Sequence, residues 1–136
     1  AAVKADSDAF DQILIARRLP KTSETEQATR LEAIHAATLF AAQVPLESAR
    51  EALAVLKLCV RMAEIGNITA ISDAGAGANL AQAAVNAAVM NVKINLIGLE
   101  GESEPASMLA EANAIQAETK QLMVTLAQII SGRAGF

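Results

Sequence analysis

The sequence predicts an all-α protein, an antiparallel bundle of four to five helices. Three observations carry this. Ala, Leu, Glu, Gln and Met are common, and these are strong helix formers. Trp and Tyr are absent and only three Phe occur, so a sheet built on aromatic cross-strand pairs has no material. Apolar residues also recur at steps of three and four along most of the chain. With 136 residues, 53% of them hydrophobic, the chain is long enough for one domain with a real core.

The first helix is expected over about residues 4–19. Phe10, Ile13, Leu14 and Arg17 share a face there, and Pro20 stops it. Ser23 followed by Glu26 reads as a capping box that opens the second helix. Its inner stripe is Leu31, Ile34, Thr38 and Ala41, and it is expected to end near Gln43. Pro45 suits the first turn of a third helix, where a missing N–H costs nothing. Leu46, Ala49, Leu53, Leu56, Val60 and Ala63 then form a buried stripe. Gly66 is placed to end it, and Asn67 to cap the next segment.

Residues 67–97 are expected to form one broken helix, or a short turn and a long helix, with Gly75 and Gly77 as the weak spots. "GLEGESEP" at 98–105 is a loop. The last helix is expected over about 104–131, with Met108, Ala112, Ile115, Thr119, Leu122, Leu126 and Ile129 inward and Gly132 at its end.

"ISDAGAGANLAQAAVNAAVMNVKINL" (71–96) is built from small residues yet keeps one acid, Asp73, and several amides. On a helical wheel Asp73, Gly77, Leu80, Ala84, Ala88, Asn91 and Asn95 fall on one side of the helix. Small residues on such a stripe admit a neighbouring helix closely. The polar members raise the expectation of a site, since a buried carboxylate without partners is costly. Asp73 and Asn91 are roughly 27 Å apart along a straight helix, so one helix cannot bring both to one small ligand. They serve two ends of a long ligand, or different sites across a subunit interface, or Asn91 and Asn95 are structural.

Net charge is −4 and basic residues are scattered, which is poor equipment for nucleic acid. No apolar run is long enough to span a bilayer, and no signal peptide is visible. One cysteine, Cys59, precludes an internal disulfide and suits a reducing, cytoplasmic setting. One His and one Cys make a zinc site an unfavoured expectation. Cys59 and the methionines read as core or interface residues. His35, the lone histidine, lies beside an inner stripe.

The phrases "DAF" at 8–10, "RLPK" at 18–21, "VPLE" at 44–47, "IGN" at 65–67, "SDAG" at 72–75 and "NVKINL" at 91–96 follow one another in an order that resembles the formiminotransferase-cyclodeaminase family. The resemblance implies a helical domain that forms a homodimer and acts on a one-carbon-substituted tetrahydrofolate, with no further cofactor. A Gly-rich N-terminal entry segment of that family is absent here, so the domain, residues 1–136, is expected to be N-terminally incomplete.

The implied activity is cyclisation of 5-formiminotetrahydrofolate to 5,10-methenyltetrahydrofolate with loss of ammonia. Methenyltetrahydrofolate cyclohydrolase is the alternative within the family, and a non-catalytic dimeric helical interaction module the alternative outside it. Asp73 is the candidate catalytic group, as acid/base or as a bidentate anchor for a pterin N–H and amino group. Its other role is to brace a helix start. Asn67, Ser72, Asn91 and Asn95 are candidate substrate-binding residues; Asn67 and Ser72 also suit capping. Arg17, Arg18, Lys21 and Lys93 are candidates for the folate glutamate carboxylates.

Overall fold

The computed structural model describes residues 2–135, with side chains from Lys4 onward. The elements are α1 (Ala2–Arg17), α2 (Glu24–Ile65), a 3-10 turn (Ile68–Ala70), α3 (Ile71–Asn95) and α4 (Ser103–Ala134), with no strand among the described residues. The all-α bundle is as expected.

Side-chain pairs fix the directions. Arg50 meets Glu111 and Lys57 meets Glu118, so α2 and α4 run parallel. Gln116 meets Asn86, and a Cβ placed on Gly75 would lie 3.3 Å from Ile130, so α3 runs against α4. Asn95 meets Ala41 and Gly77 approaches Cys59, so α3 also runs against α2. The core lies between these three helices and is filled by Leu46, Leu56, Val85, Val89, Val92 and Leu96, all fully buried. No helix of the described residues is long and apolar enough to cross a membrane.

The capping box opens α2 as expected: Ser23 accepts from the Glu26 N–H at 3.2 Å, and Glu26 accepts from the Ser23 N–H at 3.1 Å. The expected break between Gln43 and Pro45 does not occur. α2 runs 42 residues straight through Pro45, which sits buried in its interior. Proline there removes one backbone donor and leaves the carbonyl four residues earlier, on Ala41, without its helical partner. The side-chain amide of Asn95 supplies the replacement, donating to the Ala41 oxygen at 2.8 Å. The buried stripe from Leu46 to Ala63 is as expected.

Three other details differ from expectation. Phe10 does not face inward: it is 60% exposed, while Ala9 and Ala16 carry the buried face of α1 against α2. Small residues there let the two backbones approach. The last helix passes Gly132 and ends at Gly135, whose φ of +77° is the left-handed conformation that suits a terminal glycine. Gly75 and Gly77 do not interrupt α3. They sit where neighbouring side chains press closest, with Cβ positions 3.3 Å from Ile130 and 3.1 Å from Cys59 Sγ.

The buried face of α3 is also rotated from the expected stripe. Ile71, Gly75, Ala78, Ala81, Val85, Ala88, Val89 and Val92 are buried. Of the expected stripe only Ala88 is buried; Gly77 and Asn95 are partly so, and Asp73, Leu80, Ala84 and Asn91 are exposed. The core side mixes the β-branched residues Ile71, Val85, Val89 and Val92 with Gly75, Ala78, Ala81 and Ala88. The expected stripe edges toward α2 and then opens outward, away from α4.

Candidate functional site

At the end of the bundle where α3 finishes, α1, α2 and the turn after α3 enclose a cleft of about 570 Å³. α1 contributes Ile13 and Arg17; α2 contributes Leu31, Ile34, His35 and Thr38; the end of α3 and its turn contribute Ile94, Asn95, Ile97 and Leu99. The walls are chiefly aliphatic, with four polar side chains among them, the ordinary make-up of a small-molecule site.

Each polar side chain is held differently. Thr38 Oγ1 donates to the Ile34 carbonyl at 2.8 Å, a bond between residues one turn apart on α2. Asn95 is fixed by the Ala41 carbonyl. His35 Nε2 lies 2.6 Å from Glu102 Oε2, which ties α2 to the start of α4. Glu102 stands at the N-cap position of α4, yet its side chain makes no cap bond there. Arg17 lies at the rim with no hydrogen-bond or ion-pair partner for its guanidinium among the described residues. Its backbone carbonyl is capped by Arg30, through Nε at 3.2 Å and Nη2 at 3.1 Å.

The turn that carries Ile97 and Leu99 is built from the sequence "LIGLEG". Gly98 takes a φ of +87°, which ordinary side chains disfavour. Glu100 folds back to accept from the Gly98 N–H at 2.9 Å. Bonds from its own backbone and from Gly98 hold the Glu100 carboxyl below the usual carboxylate range.

The structure brings one of the five sequence-predicted site residues, Asn95, into this cleft. Asp73 stands exposed in the first turn of α3, with no hydrogen bond or ion pair among the described residues. It lies about 33 Å along the helix axis from Asn95. Ser72 beside it is exposed, as is Asn91. Asn67 caps the 3-10 turn, its Oδ1 accepting from the Thr69 N–H at 3.1 Å. Lys93 is exposed on α3 and does not line the cleft. Thr38 was legible only as part of an inner stripe; α1, the end of α3 and its turn complete the cleft around it.

Comparison with known proteins agrees with the resemblance. The family model described as formiminotransferase-cyclodeaminase matches residues 1–114. A methenyltetrahydrofolate cyclohydrolase from Methylorubrum extorquens is 36% identical over 117 residues, covering 86% of this chain and 56% of that protein. A formimidoyltransferase-cyclodeaminase from Gallus gallus is 31% identical over 121 residues, covering 89% of this chain and 22% of that protein. The chain thus spans little more than half of one relative and under a quarter of the other. The matched region contains the whole cleft and α3, and with them every candidate residue named above: the chain belongs to the formiminotransferase-cyclodeaminase family.

Proposed function

We propose that this chain serves folate one-carbon metabolism by closing the methenyl bridge of tetrahydrofolate. The observation that carries this is the family match across the residues that build the cleft. In the reaction, N10 attacks the formimino carbon on N5 and a new C–N bond forms. The π electrons of C=N move to the imino nitrogen. Two protons reach that nitrogen, one from N10 and one from solvent through the positioned acid; its bond to the bridge carbon breaks, ammonia leaves, and the N5 and N10 lone pairs share the methenyl cation that remains. Proton transfer suffices, so a positioned carboxylate is the group required, and no further cofactor is needed. Asp73 is our candidate. Arg17, unpaired at the cleft rim, suits the glutamate carboxylate of the substrate.

Asp73 is open to solvent in the single chain, and a second copy is the natural cover. Asp73, Leu80, Ala84 and Asn91 share an exposed face of α3, and Val55, Leu58 and Met62 continue it on α2. This face is self-complementary. A twofold axis near residue 82 lays α3 against its own copy in antiparallel sense and sets Asp73 against Asn91 of the second copy. Asn67 and Ser72, near the same end of α3, then border that interface. A homodimer in the cytoplasm, where Cys59 stays reduced, is the state proposed.

The Methylorubrum extorquens relative favours a second reading, methenyltetrahydrofolate cyclohydrolase, in which water adds to the bridge carbon and one C–N bond opens. Ammonia release from 5-formiminotetrahydrofolate, measured beside hydrolysis of 5,10-methenyltetrahydrofolate, separates the two. If the protein turns over neither, the enzyme reading falls and a helical interaction module replaces it. Asp73→Asn is expected to lower turnover by about 10²–10⁴-fold with substrate still bound. An unchanged rate removes Asp73 from the chemistry, and weaker binding alone assigns it to pterin recognition. A monomer at micromolar concentration in sedimentation contradicts the dimer.

A further inference from the structure

We infer that Thr38 and Asn95 give the cleft a neutral wall with two unfilled hydrogen-bond acceptors, Thr38 Oγ1 and Asn95 Oδ1, which selects a ligand edge bearing N–H donors. The starting point is Pro45. It cannot donate to Ala41, so that carbonyl takes its hydrogen bond from Asn95. A carbonyl only accepts, so the Asn95 nitrogen must be the end that faces it. Besides the second N–H of that nitrogen, the amide oxygen is left over. It has no partner among the described residues and is not sealed from solvent, and the side chain lines the cleft.

Thr38 reaches the same condition independently. A threonine hydroxyl carries one proton, and here the Ile34 carbonyl takes it at 2.8 Å. Only lone pairs remain for the cleft. A ligand carbonyl set against either oxygen would meet repulsion and an unsatisfied acceptor, whereas an N–H would complete both. The other polar side chains of the cleft are Arg17 and His35, the latter held by Glu102. A ligand with an amidine-like edge, such as a 2-amino-4-oxopyrimidine, fits the neutral wall, and its anionic portion fits Arg17. The proposal rests on the folate reading for its identification of that edge as the pterin.

The protein side is tested first, by NMR. The Asn95 side-chain amide protons should exchange slowly, and exchange should speed up in Pro45→Ala, where a backbone N–H is restored to the Ala41 carbonyl. Free exchange in the unsubstituted protein overturns the proposal. The ligand side compares tetrahydrofolate with its 2-desamino-2-methyl analogue by calorimetry. The analogue should bind about tenfold more weakly, the loss of one hydrogen bond to a neutral acceptor. The triply substituted Thr38→Val/Pro45→Ala/Asn95→Leu protein, which lacks both acceptors and whose Ala41 carbonyl keeps a partner, should bind both alike. Equal binding by the unsubstituted protein, or discrimination kept by the triple variant, overturns it. 2-Aminopyrimidin-4-one serves as a non-folate probe: if it shifts the Thr38 and Asn95 signals while tetrahydrofolate does not bind, the folate reading fails and the acceptor wall stands. Binding of neither overturns the acceptor wall.

Discussion

Arg133, in the last turn of α4, donates through Nη2 to the carbonyl of Gly66 at 3.0 Å, and through Nη1 to that of Ala63. Both carbonyls belong to the end of α2, where helical donors have run out. Gly66 itself is extended, with φ of −73°, and makes no left-handed cap. No basic residue of α2 stands in its last turn either. The cation that complements this helix end therefore comes from α4. Arg133→Ala is expected to lower unfolding free energy by about 1–2 kcal/mol, measured as a shift in urea midpoint at constant slope. Arg133→Lys should recover part of it, since Lys keeps the charge and loses the fork that reaches two carbonyls.

Thr119 is the buried polar residue of α4, 1% exposed, and its hydroxyl has no hydrogen-bond partner among the described residues. Thr38, Ser48 and Thr125 each return their hydroxyl to the carbonyl four residues back; Thr119 does not. Thr119→Val removes the unsatisfied oxygen at nearly constant volume. It is expected to stabilise the protein by about 1 kcal/mol. A lower denaturation midpoint for the variant would mean that the hydroxyl is satisfied in solution.

The bundle was legible from periodicity, because Leu46, Leu53, Leu56 and Val60 state their buried side without help. α4 was legible for the same reason. Pro45 was misleading: as a local signal it marks a helix start, and only Asn95, distant in sequence, makes it tolerable inside a helix. The facing of α3 was obscured because alanine fits core and surface alike, so a stripe of small residues has no strong sidedness. In the cleft, Asn95 was identifiable as an unusual amide. Thr38 was not, since its place depends on α1 and the end of α3 standing beside it. Gly66 ends α2 as its residue type suggests, in extended rather than left-handed form, whereas Gly132 does not end α4, whose left-handed cap falls on Gly135.

The Arg50 guanidinium grips Glu111 with two bonds, Nε to Oε1 at 2.6 Å and Nη2 to Oε2 at 2.8 Å. This holds the Glu111 carboxyl below its ordinary value and raises Arg50. Glu26 is lowered too, chiefly by the Thr22 hydroxyl and then by the backbone of the capping box. A carboxyl whose folded value is depressed adds stability that is fully present above its unfolded value, about 4.3. That stability is lost as pH falls through the folded value. The denaturation midpoint should therefore hold level from neutrality to about pH 5 and decline below it. Glu111→Gln should shallow the decline without abolishing it, because Glu26 remains. Both partners of the Arg50 pair are substantially exposed, so its loss near neutrality should cost under about 1 kcal/mol. A decline as steep in Glu111→Gln as in the parent would assign the acid sensitivity elsewhere.

Gly77 and Cys59 form a contact whose sign can be measured. A Cβ on Gly77 would stand 3.1 Å from Cys59 Sγ, a few tenths of an ångström too close. Alanine in a helix interior is favoured over glycine by about 1 kcal/mol, so Gly77→Ala sets that gain against the crowding. The single variant is expected to be near neutral or slightly destabilised. Cys59→Ala removes the sulfur and should itself cost a modest amount, as a partly buried side chain is trimmed. On that background Gly77→Ala should show the full propensity gain, about 1 kcal/mol. The double-mutant cycle then returns a coupling of comparable size, as residues in contact do. Additive effects would show that the two helices stand further apart at this crossing, and that Gly77 is not required for their approach.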